Sequence, residues 1–161
     1  MGEKQSDRPS GRDETEEERL DRNLGELLQE LRVALPGVQV LFAFLLVVPF
    51  NQRFVDVTPF QEKVYFVTLL LTAASSAFLI APTVQHRIAF RTQDKEYIVV
   101  RGNRLALAGT VLLALAMTGA IMLVTDVLFG TLAVVLATGL VALLFLVLWY
   151  AFPVRRRLTR E

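Results

Sequence analysis

From Thr15 onward the chain sets leucines into a charged background. Leu20, Leu24, Leu27, Leu28, Leu31 and Leu35 recur at helical spacing. That period gathers them on one face, so an amphipathic helix is expected over 14–35. Thr15 and Glu18 have the S/T-x-x-E form of a capping box, with acidic residues in the first turn. After Arg32 the pattern changes. Four runs carry no charge: Val33–Gln52, Val64–Gln85, Leu105–Thr125 and Val127–Val154, of 20, 22, 21 and 28 residues. A hydrocarbon layer about 30 Å thick takes roughly 20 residues of helix to cross. Strands are excluded in these runs, because an open sheet edge in lipid leaves backbone groups unpaired.

Local signals place the ends. Pro36-Gly37 marks a joint, with proline as the first residue of a new helix. Thr58-Pro59-Phe60-Gln61 supplies a capping hydroxyl, a first-turn proline and a glutamine three residues after the cap. Pro82 is expected to kink the second span or loosen its end. The spans are expected at about 36–54, 61–85, 104–125 and 129–152. The reading is an all-α membrane protein: a polar, disordered tail over 1–13, an acidic amphipathic cytoplasmic helix over 14–35, a four-helix bundle over 36–154 and a basic tail over 155–161. The short connection near Asp126–Gly130 makes the last two spans antiparallel neighbours.

Charge gives the orientation. Lys and Arg number six before the first run, two between the first and second, five in the central connection, none in the third connection and four in the C-terminal tail. Positive residues stay on the cytoplasmic side. Both termini and the central connection are therefore expected on the cytoplasmic side of a cytoplasmic (inner) membrane. Residues 1–32 do not have the form of a cleavable signal peptide, so the first span is expected to target the chain.

Composition narrows the chemistry. The chain is 53% hydrophobic with a mean hydropathy of +0.47, more apolar than ordinary soluble domains. There is no cysteine, and His86 is the sole histidine. Thiolate chemistry and a histidine-rich metal site are thereby excluded within one chain. A net charge of +1 gives no reason to expect nucleic acid. No catalytic constellation and no cofactor motif is present, so no enzyme is expected. The central segment HRIAFRTQDKEYIVVRGNR lacks a glycine-rich phosphate loop. It reads as a positive anchor with Tyr97 at the lipid boundary.

Intramembrane carboxylates are the usual sites of proton and cation coupling, and none of the four runs contains one. For a transporter, the candidate proton-linked residues are the boundary groups Glu30, Glu62, His86 and Asp126. The polar residues expected inside are Gln39, Thr68, Thr72, Ser75, Ser76, Thr110, Thr118 and Thr138. Ala73, Ala77 and Ala81 form a small-residue stripe suited to close helix packing. The leucine face, with Leu20, Leu24, Leu27 and Leu31 as its candidate docking positions, has several uses. It suits a contact with the chain's own inner face or a partner, an interfacial helix, or a short coiled coil.

The stretch ELRVALPGVQVLFAFLLVVPF, with HRIAFR and GNRLALAG, resembles an uncharacterised family of small actinobacterial membrane proteins over roughly residues 25–152. The resemblance implies a four-span architecture and a domain of unknown function. Some members carry an automatic sodium:proton antiporter label. It supplies no catalytic residues. The function expected first is a non-enzymatic structural or regulatory partner in the bilayer. A small homo-oligomeric transporter is the alternative.

Overall fold

The computed structural model describes residues 15–52, 56–88, 95–151 and 155. The expected tail over 1–13, Arg91 and the cluster Arg156–Arg157 lie outside the described residues. Four helices, α1 (Glu16–Val47), α2 (Pro59–Ile88), α3 (Lys95–Leu128) and α4 (Thr131–Phe145), account for nearly all of them. There is no strand among the described residues. A 3-10 turn, Val48–Phe50, follows α1, and α4 runs on as a π-helical turn, Leu146–Ala151. The helices alternate in direction. The end of α1, the start of α2, the end of α3 and the start of α4 lie at one end, called here the hairpin end. The end of α2 and the start of α3 lie at the other, the terminal end, where α1 begins.

Both capping boxes form. Thr15 Oγ1 accepts from the Glu18 amide at 3.3 Å, and Glu18 Oε2 accepts from the Thr15 amide at 3.0 Å. At α2, Thr58 Oγ1 accepts from the Gln61 amide at 3.3 Å, and Gln61 Oε1 accepts from the Thr58 amide at 3.0 Å. Each box satisfies two donors that a helix start would leave unpaired.

At Pro36 the structure differs from the expected joint. α1 passes through it without a break, so the amphipathic stretch and the first span are one helix of 32 residues. Proline removes one backbone bond, but packing on both sides outweighs it. Leu27, Leu31 and Val38 are buried with Leu79 of α2 in one cluster, and Leu35 packs against it. α2 likewise continues through the buried Pro82. α3 begins nine residues before the expected start at 104. A run of uncharged residues marks the part of a helix that suits lipid, and the helix itself extends further. Ile98 and Gly102 carry the buried face of α3 beyond that run.

α2 and α3 form the main pair, and α1 packs on both. α4 touches no helix but α3 among the described residues. The α2–α3 seam is built on α3 glycines. A Cβ added at Gly109 would lie 2.7 Å from Leu79 Cγ, and one at Gly119 would lie 2.4 Å from Thr68 Oγ1. Such helices approach closely because a side chain is missing. On α2 the matching surface is Thr68, Thr72, Ser75, Leu79 and Pro82, all buried. The alanine stripe expected to pack does not form the seam. Ala77 is exposed and Ala73 and Ala81 are half-buried. The hydroxyl residues lie nearer the contact direction and are small enough to fill it.

Candidate functional site

Three polar or concave features stand out, and no one of them collects all the residues expected at a site. At the hairpin end, Gln61 Nε2 donates to Asp126 Oδ2 at 2.8 Å. The same side chain accepts from the Thr58 amide, so Gln61 links the start of α2 to the last turn of α3. The Asp126 carboxylate also lies where the N-terminal dipole of α2 favours negative charge. Glu62, one residue along, is exposed.

At the terminal end a polar cleft of about 370 Å³ lies between the start of α1 and the start of α3. Asn23, Glu26, Glu30, Asn103 and Arg104 give it polar groups, and Leu27 and Val99 give it an apolar floor. Glu26 pairs with Arg22 at 3.8 Å on the water-exposed face, where such a pair adds little stability. Backbone and side-chain hydrogen bonds from Thr15 hold the Glu18 carboxyl below its usual range. Arg101 donates to the Tyr97 hydroxyl and stands 5.5 Å from its ring centre. His86 is half-buried near the end of α2.

The four candidate proton-linked residues are therefore split. Glu30 and His86 lie toward the terminal end, and Glu62 and Asp126 at the hairpin end. Glu62 and His86 are about 36 Å apart along α2, taking 1.5 Å per residue. No group of three His, Cys, Asp or Glu suited to a metal ion occurs among the described residues.

The third feature is an apolar groove of about 330 Å³ between α3 and α4. Val111, Leu115, Thr118, Ala142, Phe145 and Tyr150 are among its lining residues. The Tyr150 hydroxyl reaches Thr110 Oγ1 at 3.4 Å.

Between the two polar ends the interior hydroxyls bond backbone. Thr68 donates to the Val64 carbonyl at 2.7 Å, Thr72 to Thr68 at 2.8 Å and Ser76 to Thr72 at 3.0 Å. Thr118 donates to Ala114 at 2.7 Å and Thr110 to Leu107 at 2.8 Å. Ser75 crosses the seam to the Gly109 carbonyl at 2.8 Å. Thr138 Oγ1 is buried without a partner. Gln39, expected inside, is exposed. Tyr65 serves the α1 exit. Pro49 has no N–H to offer the Leu45 carbonyl four residues back. The Tyr65 hydroxyl donates to that carbonyl at 3.0 Å, joined by the Val48 amide.

The leucine face is placed as a contact. Leu24, Leu27 and Leu31 are buried and Leu20 is half-buried. A Cβ on Gly102 of α3 would lie 3.1 Å from Leu27 Cδ2. The face packs on the chain's own α2 and α3, leaving the acidic face outward. Sequence reasoning missed the Gln61–Asp126 link and the Ser75–Gly109 bond. The glycines on α3 were the available signal for the seam, since Gly102, Gly109 and Gly119 all fall on its packed side.

Four helices long and apolar enough to cross a bilayer, the middle two joined through a glycine and hydroxyl seam, define a small helix-bundle membrane protein. The chain belongs to the family described as "Family of unknown function (DUF6328)", whose model matches residues 13–153. No curated protein and no solved structure matches it.

Proposed function

We propose that this protein is a non-enzymatic partner protein of the cytoplasmic membrane, acting by helix association, with its acidic α1 face as the contact surface for other proteins. The observation that carries this reading is the use made of the interior polar groups. Thr68, Thr72, Ser75, Ser76, Thr110 and Thr118 all donate to backbone carbonyls, and one of these bonds joins two helices. Ser75 ties α2 to α3, the other hydroxyls are satisfied within their own helices, and the described carboxylates stay at the two ends. In α1, burial of the leucines turns Glu16, Glu18, Glu26 and Glu30 toward water, where a basic partner surface can reach them.

The purified protein in liposomes is therefore expected to show no sodium- or potassium-dependent proton exchange across an imposed pH gradient. A robust cation-dependent flux, abolished by Asp126→Asn or Glu30→Gln in protein that still folds, would overturn the reading in favour of a transporter.

The orientation proposed has both termini and the α2–α3 connection in the cytoplasm, supported by the Lys and Arg distribution. The absence of native cysteine makes single-cysteine labelling clean. Asp56→Cys, at the hairpin end, is expected to react in intact cells with a membrane-impermeant maleimide, and Gln29→Cys only after lysis. The reverse pattern would sink the orientation.

A further inference from the structure

Gln39 is the one polar side chain in the uncharged first run before Asn51 and Gln52 at its far end. It lies six residues inside Val33, about 9 Å along the helix. A glutamine side chain is too short to carry its amide from there to the membrane surface. The structure turns Gln39 outward, with no hydrogen bond to any described residue. Its neighbours on the same exposed face, Pro36, Val40, Ala43, Leu46, Val47 and Phe50, are apolar. An amide left in hydrocarbon without partners is costly.

From this we infer that α1 forms the interface of a parallel homodimer, in which Gln39 pairs with Gln39 of a second copy. The inference rests on reading α1 as a membrane span, and it names one partner within the association proposed above. A primary amide carries both donor and acceptor, so two of them related by a two-fold axis satisfy each other reciprocally. Copies inserted in the same orientation bring the same depth of α1 together, which is what that pair requires. Ala43, one turn on and exposed, is small enough for the backbones to approach. α1 also has the free surface. Only 11% of its most apolar window is buried within the chain, against 28% for α2 and for α3. A crossing centred on Gln39 and Ala43 lets the helices diverge toward Asp21, so the two acidic faces are not forced together. α4 is barer still, at 6%, but its outward face from Leu132 on is apolar and lipid satisfies it.

The test uses the full chain in native membranes. Ala43→Cys is expected to give a disulfide-linked dimer under mild oxidation, while Leu140→Cys on the outward face of α4 stays monomeric. Adding Gln39→Leu to Ala43→Cys should lower the dimerisation constant about three- to thirtyfold, the range for one interhelical side-chain bond in a bilayer. That constant is read by energy transfer between labelled copies as lipid is added. Gln39→Asn should retain most of the association. Because Gln39 is exposed within one chain, Gln39→Leu should leave thermal unfolding of the monomer unchanged, separating lost pairing from lost folding. A monomer at every protein-to-lipid ratio, cross-linking at 140 instead of 43, or a dimer indifferent to Gln39→Leu would each overturn the proposal. None of these outcomes bears on proton flux, so the inference can fail while the functional reading stands.

Discussion

Gly109→Ala is expected to destabilise the bundle by about 1–3 kcal/mol, the usual range for forcing an extra methyl into a packed contact. The new Cβ would lie 2.7 Å from Leu79 Cγ and 3.3 Å from the Leu79 backbone nitrogen. Leu79 is fully buried, so its side chain has no free space to enter. Relief has to come from moving α2 and α3 apart. That lengthens the Ser75–Gly109 hydrogen bond and adds roughly 0.5–1.5 kcal/mol if the bond is lost. Alanine's better helix propensity returns only about 1 kcal/mol. The steric cost wins. Gly25→Ala and Gly37→Ala are the opposite case. A Cβ there meets nothing within 4 Å, and each is expected to be neutral or to gain up to about 1 kcal/mol. The measurement is thermal unfolding of the purified protein in detergent. A Gly109→Ala variant as stable as Gly37→Ala would show that the seam does not depend on that missing side chain.

The second large effect is on the start of α1. Leu24→Asp combined with Leu31→Asp is expected to release residues 16–33 from the bundle. Each substitution removes a buried leucine, worth about 1.5–3 kcal/mol where the alternative is water, and places a carboxylate where nothing pairs it. The total has a ceiling. Once the segment detaches, the charges are hydrated and the cost stops rising, so the outcome is local release. Hydrogen exchange across 16–33 should approach that of an unprotected chain, and trypsin should cut after Arg19, Arg22 or Arg32. The α2–α3 seam should keep its protection. Unchanged exchange in the first two turns of α1 would rule out docking through the leucine face.

The contrast between these experiments reflects two solvents acting on one chain. On the proposed topology the start of α1 stands in water, which drives leucine burial there by the ordinary hydrophobic effect. Within the spans, lipid is as apolar as leucine, so that drive is absent. Close packing at Gly109 and Gly119 and the bond from Ser75 have to hold α2 to α3 instead.

The amino-acid sequence alone determined that four apolar helices form and how α1 and α2 are capped. Uncharged runs of membrane length, the Thr15–Glu18 and Thr58–Gln61 boxes and the leucine period are local properties, written within a few turns of chain. Which way a side chain faces is decided by neighbours distant in sequence, and there the tertiary structure alone decided. It turned Gln39 outward and Thr72 inward, although both are polar residues within apolar runs. It brought Gln61 to Asp126 across 65 positions and carried α1 unbroken through Pro36, where the local signal favoured a joint. It also gave the α2–α3 contact to the hydroxyl line and not to the alanine line, because the glycines of α3 stand opposite Thr68 and Leu79. Helix formation depends on bonds four residues apart, whereas the packed face depends on which other helix arrives there.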